Sequence, residues 1–379
     1  MIEYVTLARA TPIGAAMEPC RPSRTHRMTN PFFDRPILKA KKQGASKKQA
    51  GRFVHIVQPE SETAPKQIGY WSTAVMRIWV GVTDEGWFEH LRAAAPVEVN
   101  FWQPSGKAPA KFFEPGTPFL FKLKYPRNFI VGGGFFLRFS QLPMELAWAA
   151  FGTNNGLSSR DEFYLRMRKY NPTGNAGSLV GCSILIDPFF WQEPDWIPAP
   201  ASWAPNIVQG KSFDTDSNEG SALWAEVQNR LQANAIANGV SEPTPKYGQE
   251  FLSRARLGQG SFRVLVTEAY ARRCAVTGER TLLVLEAAHI KPYAGDGSHR
   301  TDNGLLLRSD WHTLFDRGYV TVTEDLRVLV SARIREEFSN GRDYYRHHGR
   351  ALTSVPESAI ERPSIDALRW HNENRYFGA

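Results

Sequence analysis

The fold of the C-terminal part is decided by the stretch from Cys274 to Val320, CAVTGERTLLVLEAAHIKPYAGDGSHRTDNGLLLRSDWHTLFDRGYV. Thr281–Leu285 is an apolar, β-like run that ends in Glu286-Ala287-Ala288-His289-Ile290. Lys291-Pro292 stops it, because proline cannot donate to a strand ladder. A loop rich in Gly, Asp and Ser follows, to Asn303-Gly304. Leu305–Leu307 then reads as a second strand, and a helix starts near Ser309 or Asp310 and carries His312. The order is strand, loop, strand, helix. The polar side chains that stand out are His289, Asn303 and His312, at spacings of 14 and 9.

Upstream, Arg256-Leu257-Gly258-Gln259-Gly260-Ser261-Phe262-Arg263 leads into Tyr270–Gly278. From Lys246 to the C-terminus the chain has 18 Arg and two Lys against 17 acids, an arginine bias suited to phosphate contact. A connector precedes it at 214–245. Its Ser221–Ala237 segment has helical spacing through Leu223, Val227 and Leu231, and Ser241–Pro245 is a proline-broken hinge. Residues 53–213 hold eight of the 11 tryptophans. β-type runs recur there at Met76–Val82, Val97–Trp102, Pro118–Lys124, Phe129–Phe139 and Val180–Ile186. Helices are expected at Asp84–Ala95, Met144–Phe151 and Ser159–Tyr170. Gly132-Gly133-Gly134 lacks a following Lys-Ser/Thr, so it reads as a tight turn or bulge and not as a phosphate loop.

The 379 residues suggest two or three domains, and 42% hydrophobic content excludes a chain disordered throughout. No uncharged apolar run reaches the ~18 residues of a membrane helix. No signal-peptide pattern is present, so secretion is not expected. Cys20, Cys182 and Cys274 lie far apart, which fits a reducing cytoplasm and argues against a structural zinc cluster. The net charge of +8 belongs to one segment. Residues 1–52 carry 11 Lys and Arg against three acids, and the remainder carries 35 of each sign. That leader reads as a disordered, solvated tail, a start placed too early (Met17 and Met28 are alternatives) or a DNA-tethering arm.

The segment Cys274–Val320 resembles the HNH endonucleases, the ββα-metal nuclease fold. The resemblance is carried by His289, Asn303 and His312, by the Ala-His-Ile-Lys-Pro run, and by His-x-Leu-Phe-Asp-x-Gly at His312–Gly318. The Arg256–Arg263 lead-in resembles that of one HNH subfamily. The resemblance implies that His289 polarises the attacking water and that His312 ligates a divalent cation. It implies that Asn303 fixes the loop and orients the His289 ring. Such chemistry needs a base that titrates near neutrality and positive charge on the phosphate. Many HNH enzymes place Asp immediately before the base, where this chain has Ala288. Glu286, Asp310, Asp316, substrate phosphate or water then supplies the missing oxygen ligand. The implied cofactor is Mg²⁺, with Mn²⁺ or Ni²⁺ as alternatives given the imidazole. Zinc held by paired CxxC motifs, as in some relatives, is not expected, because Cys274 lacks a second Cys nearby.

Val97–Lys211 resembles EVE-like domains of the PUA superfamily, through Asn100–Pro104, Gly116–Lys122, Ile130–Phe136 and Gly181–Trp196. The expected fold is therefore α+β: a PUA/EVE-like β-barrel-type domain at 53–213, a helical linker at 214–245, and a ββα-metal HNH domain at 246–379. Together these resemble modification-dependent (type IV) restriction endonucleases, which implies recognition of 5-methyl- or 5-hydroxymethylcytosine in double-stranded DNA. A flipped base needs aromatic walls and polar readers. The candidates are Phe101, Trp102, Trp191 and Trp196, with Asn100 and Asp195. Lys122, Lys124, Arg127, Arg138, Arg272, Arg273, Arg300 and Arg308 are candidate phosphate contacts, while Asp316 reads as a supporting or helix-capping carboxylate, His299 as a loop residue, and His347 and His348 as exposed. Cutting both strands implies a homodimer, at least on DNA. The alternatives are a nuclease whose first module reads RNA or an unmodified sequence, and a catalytically weak DNA-binding regulator.

Overall fold

The structure, a computed structural model, describes residues 76–106, 113–172, 178–237, 257–292 and 298–378. The leader expected at 1–52 and the hinge at Ser241–Pro245 lie outside the described residues. Trp71–Ala379 forms one compact unit.

Strands β1 (Arg77–Thr83), β2 (Glu98–Gln103), β3 (Pro118–Leu123), β4 (Phe129–Pro143), β5 (Leu179–Phe190), β6 (Ile197–Pro198) and β7 (Gly210–Asp214) form one sheet. The order is β2-β5-β4-β3-β1-β7, with β6 on β4. β1 and β3 run parallel, and the other pairings are antiparallel. Both faces of the sheet are covered, so its strands are apolar on both sides. Trp79, Phe119 and Phe121 point to one side, where they pack with Trp87, Phe88 and Leu91 of α1 (Glu85–Ala94). Their sequence neighbours Ile78, Val80 and Leu120 point to the other side and pack with Leu223 and Val227 of α4 (Asn218–Ala237), the helix expected in the connector.

Gly132 and Gly133 lie inside β4, not in a turn, and the strand slips register between Gly133 and Phe135. A Cβ on Gly132 would stand 2.3 Å from the Phe189 carbonyl oxygen, so only glycine lets the strands approach this closely. The bulge is the correct reading of that triplet.

Helices α2 (Met144–Phe151) and α3 (Arg160–Tyr170) pack on β4 and β5. Ser159 caps α3 by accepting from the Glu162 backbone N–H, while Glu162 reaches back to Ser158. Helix α5 (Gln259–Ala269) is apolar on two sides. Val264 and Leu265 join the core made by α2, α3 and β5, and Phe262 and Val266 join the C-terminal core. Each such side chain, taken from water, contributes about 1.5–3 kcal/mol.

In the C-terminal part, β8 (Leu285–His289) pairs antiparallel with β9 (Gly304–Arg308), placing His289 opposite Gly304. Helix α6 (Ser309–Asp316) follows directly. The strand expected at Thr281–Leu285 is a correction: Leu282–Val284 is a 3-10 turn and β8 starts at Leu285. The Glu279 carboxylate accepts from the Arg280 and Thr281 backbone N–H groups and bends the chain there, leaving Leu283 exposed. Beyond α6 come β10 (Val320–Val322), β11 (Val328–Val330), α7 (Arg333–Phe338), α8 (Arg342–Tyr345) and α9 (Ile365–Asn374). No helix among the described residues is long and apolar enough to cross a membrane.

Candidate active site

A cavity of about 650 Å³ opens where α5, β8, α6 and α9 meet, and His289, His312, Glu286, Asp316 and Arg263 line it. β8 delivers Glu286 and His289, and α6 delivers His312 and Asp316 one helical turn apart. His312 lies between two carboxylates. Its Nδ1 is 2.6 Å from Glu286 Oε2 and its Nε2 is 3.2 Å from Asp316 Oδ2. Burial pulls the His312 pKa down, but the hydrogen bonds and charges of Asp316 and Glu286 outweigh it and raise the group above the ordinary histidine value.

His289 is in the opposite state. Its ring stacks on Phe262, with centroids 3.8 Å apart and planes 10° apart, and its Nε2 is 3.0 Å from His299 Nδ1. Burial is the main cause that lowers its pKa to about 4; the charges of His299 and His312 add to it and that of Asp316 opposes it. The ring is therefore neutral near pH 7. His299, read from sequence as a loop residue, is a direct partner of His289. No sequence signal singled it out, because the loop that carries it has no periodicity.

Asn303 is buried and pins the loop. Its Oδ1 accepts from the Lys291 backbone N–H at 2.9 Å, and its Nδ2 donates to the Lys291 and Ser298 carbonyl oxygens, each at 2.9 Å. Its side chain makes no hydrogen bond to the His289 ring. Phe262 and His299 orient that ring instead.

Ala288 belongs to the buried core, so a carboxylate there would have to be buried too. Asp310 is held bidentately by Arg308 and accepts from the Tyr344 hydroxyl, away from this cavity. That leaves Glu286 and Asp316, both partly exposed, beside His312. The two carboxylates sit on opposite ring nitrogens, so a cation on His312 would take one of them and complete its shell with water or phosphate oxygens. Among the described residues no three or more His, Cys, Asp or Glu side chains are grouped so as to hold a metal ion by themselves. Cys274 is buried and accepts from the Arg308 and Thr277 backbone N–H groups, a packing role.

In the N-terminal part, a second cleft of about 680 Å³ lies at the ends of β1 and β2 beside the start of α1. Phe101 and Trp102 line it, together with Trp87, Asp84, Arg166 and Lys124, which the sequence did not single out as pocket residues, except Lys124 as a phosphate contact. The Trp87 and Trp102 indole N–H groups both donate to the Asn155 carbonyl oxygen, at 3.0 and 2.9 Å, which fixes the two rings. Gly156 has φ +76°, and a Cβ there would collide with the Trp87 ring. Asp84 caps α1 and pairs with Arg166 at 2.8 Å.

The other expected reader residues lie elsewhere. Asn100 is buried and donates to Asn155 Oδ1 and the Cys182 sulfur. Trp191 is buried in the core that contains α4. Trp196 donates to the Trp191 carbonyl oxygen and packs on Phe88, and the Asp195 carbonyl accepts from Arg230. Among the expected phosphate contacts, Lys122 is 2% exposed, and its ammonium donates to the Leu123 carbonyl oxygen above the Trp203 ring. Arg127 is paired with Glu85 and Glu193, Arg300 with Asp302, and Arg308 with Asp310. Arg272 holds Glu268 and the Gln141 carbonyl oxygen. Arg138 stands 4.0 Å from Glu361, Lys124 stands 3.9 Å from Asp84, and Arg273 is exposed.

Of the two histidines, His289 ends β8 and His312 lies on the helix that follows the paired strand β9. Residues 274–323 match the model of the family described as HNH endonuclease, so this region is an HNH endonuclease domain. No curated protein matches the chain. Among solved structures, the chain is similar to the ASCH protein of Zymomonas mobilis at 13% identity and a TM-score of 0.29, covering 39% of this chain and 93% of that one. It is also similar to the modification-dependent TagI restriction endonuclease at 13% identity and a TM-score of 0.24, covering 74% of this chain and 76% of that one.

Proposed function

We propose that the chain is a modification-dependent restriction endonuclease. In this reading the aromatic cleft takes a modified cytosine, 5-methyl or 5-hydroxymethyl, flipped out of double-stranded DNA, and the HNH domain hydrolyses a phosphodiester nearby. The observation that carries it is the presence, in one compact unit, of the HNH histidine cluster and a cleft walled by Trp87, Phe101 and Trp102. Locked indoles with a charged pair at the rim suit a base that must be stacked and then hydrogen-bonded at its edge.

At the cutting site His289 is the base. It is neutral at physiological pH, and with Nε2 held by His299 its Nδ1 is the nitrogen offered to a water. Asn303 ties Lys291 to Ser298 behind it. His312, with either Glu286 or Asp316, would hold the divalent cation, Mg²⁺ first, with Mn²⁺ or Ni²⁺ as substitutes. Such a cation supplies positive charge to the phosphate and to the leaving 3′ oxygen. Arg263, on α5, lines the same cavity, where it presents a guanidinium to a phosphate. Cleavage of both strands takes two copies, so the protein acts as a dimer on DNA, in the cytoplasm.

Digestion of matched plasmids, unmodified, methylated and hydroxymethylated, in Mg²⁺ or Mn²⁺ is the test. Preferential cutting of a modified plasmid is expected. Equal cutting of all three removes the modification-dependent reading, and full activity of His289→Ala removes the assignment of the base.

A further inference from the structure

We infer that Glu98 is a positioning residue for cleavage: it anchors helix α5 to the base-reading sheet and so sets the Phe262 ring against which His289 stacks. This rests on His289 being the base. Glu98 lies on β2, three and four residues before Phe101 and Trp102 of the aromatic cleft. It is 2% exposed, and among the described residues its carboxylate is in no ion pair with an arginine or lysine. It instead accepts from the Gly260 backbone N–H at 2.8 Å, from the Ser261 backbone N–H at 2.9 Å, and from the Ser261 hydroxyl. These donors open α5, where N–H groups have no partner within the helix and the helix dipole favours an anion.

The fit explains the glycines of the Gly258-Gln259-Gly260 lead-in. A Cβ on Gly258 would stand 2.2 Å from the Glu98 carboxyl carbon, and one on Gly260 would stand 2.6 Å from the Ala150 carbonyl oxygen and 2.9 Å from Glu98 Oε1. The far end of α5 is tied to the same sheet. Glu268 accepts from the Ser140 hydroxyl at 2.8 Å, and Arg272, bonded to Glu268, donates to the Gln141 carbonyl oxygen at 2.9 Å.

Between these two ties the helix projects Phe262 onto His289 and Arg263 into the catalytic cavity. The Glu98 charge also acts on His299, the hydrogen-bond partner of His289. The strand that walls the cleft thus holds the helix that orients the base. A shift of α5 by a fraction of a turn would carry the ring and the guanidinium away from the phosphate.

The test uses the full chain, supercoiled plasmid under single-turnover conditions with Mg²⁺, and four variants: Glu98→Ala, Glu98→Gln, Phe262→Leu and His289→Ala. Glu98→Ala is expected to slow cutting about 100-fold, with plasmid affinity in EDTA unchanged. Glu98→Gln keeps an acceptor and is expected to recover part of that loss. In the Phe262→Leu background, Glu98→Ala is expected to add at most about a twofold loss, because both changes act through one stack. A folded Glu98→Ala protein that cuts at the wild-type rate overturns the inference, as does full additivity with Phe262→Leu. If Glu98→Ala does not fold, a Glu98→Gln protein with wild-type rate and an unmoved His289 ring resonance overturns it. His289→Ala separates the two readings: if that variant cuts normally the base assignment fails, whatever Glu98 does.

Discussion

The Phe262 ring lies parallel to the His289 imidazole, 3.8 Å away between centroids, and seals one face of it from water. Burial of this kind disfavours the imidazolium, which is the main reason the His289 pKa falls to about 4. The imidazole therefore stays neutral, and able to take a proton, from pH 7 down to that value. Phe262→Leu opens the face, so the ring should become easier to protonate. We expect the NMR titration midpoint of His289 to rise by about one unit, and the acid limb of the cleavage profile to move to higher pH with it. An unmoved midpoint in the variant would show that the stack does not set the pKa.

His312 is held by Glu286 on one nitrogen and Asp316 on the other. If these groups hold the divalent ion, His312→Ala should abolish heat of Mn²⁺ binding in calorimetry and reduce plasmid cutting by at least about 100-fold. Of Glu286→Gln and Asp316→Asn, the one on the metal-bearing side of His312 should weaken Mn²⁺ binding the more, because a neutral amide is a poorer oxygen donor to a cation. EDTA should stop cutting in the wild type. Mn²⁺ binding that survives His312→Ala would place the ion elsewhere.

Legibility in the sequence followed the range of the interactions concerned. Helices α1 to α3 could be read because Asp84 and Ser159 are local caps and the apolar spacing is local. The pairing of β8 with β9 followed from Pro292 and Asn303-Gly304. The places of His289, at a strand end, and His312, on the helix after the paired strand, were legible because the nuclease pattern fixes their spacing. Phe262, His299 and Glu98 were not, since each acts across a gap in the chain that no periodicity spans. In the cleft, Phe101 and Trp102 were legible, but Asn100 was misplaced: it shares the strand face of Trp102, where its amide is buried against Asn155 and Cys182. Lys122 misled for a similar reason: it sits on a strand whose two faces are both buried, and charge alone did not show that.

His371, which lines the cavity from α9, offers a test of acid stability. Its Nδ1 is 2.8 Å from the Thr321 hydroxyl, its Nε2 is 3.1 Å from the Phe315 carbonyl oxygen, and its ring stacks on Phe315 at 3.8 Å. Burial lowers its pKa to about 4 from an unfolded value of 6.5. The unfolded chain thus binds the proton more readily than the native one. Stability is fully present above pH 6.5 and is lost as pH falls toward 4, by up to about 3 kcal/mol. His289 contributes in the same sense. His371→Gln, which cannot titrate, should flatten the fall in melting temperature between pH 6.5 and 4 while leaving part of it. An unchanged slope would mean that His371 does not govern the acid limb.

Trp102 is the sharpest probe of the cleft, because its indole N–H is satisfied by the Asn155 carbonyl oxygen and its ring lines the opening. A base stacked on such a ring gains about 1–3 kcal/mol. Trp102→Ala should therefore weaken binding to hydroxymethylated or methylated duplex by about 5- to 150-fold, while Mn²⁺ binding at His312 is retained. Trp102→Phe keeps an aromatic face but leaves the Asn155 carbonyl to Trp87 alone, so it should fall between the two. The comparison with unmodified duplex is decisive. If Trp102→Ala weakens modified and unmodified duplexes equally, the residue supports the fold of the cleft and does not read the base.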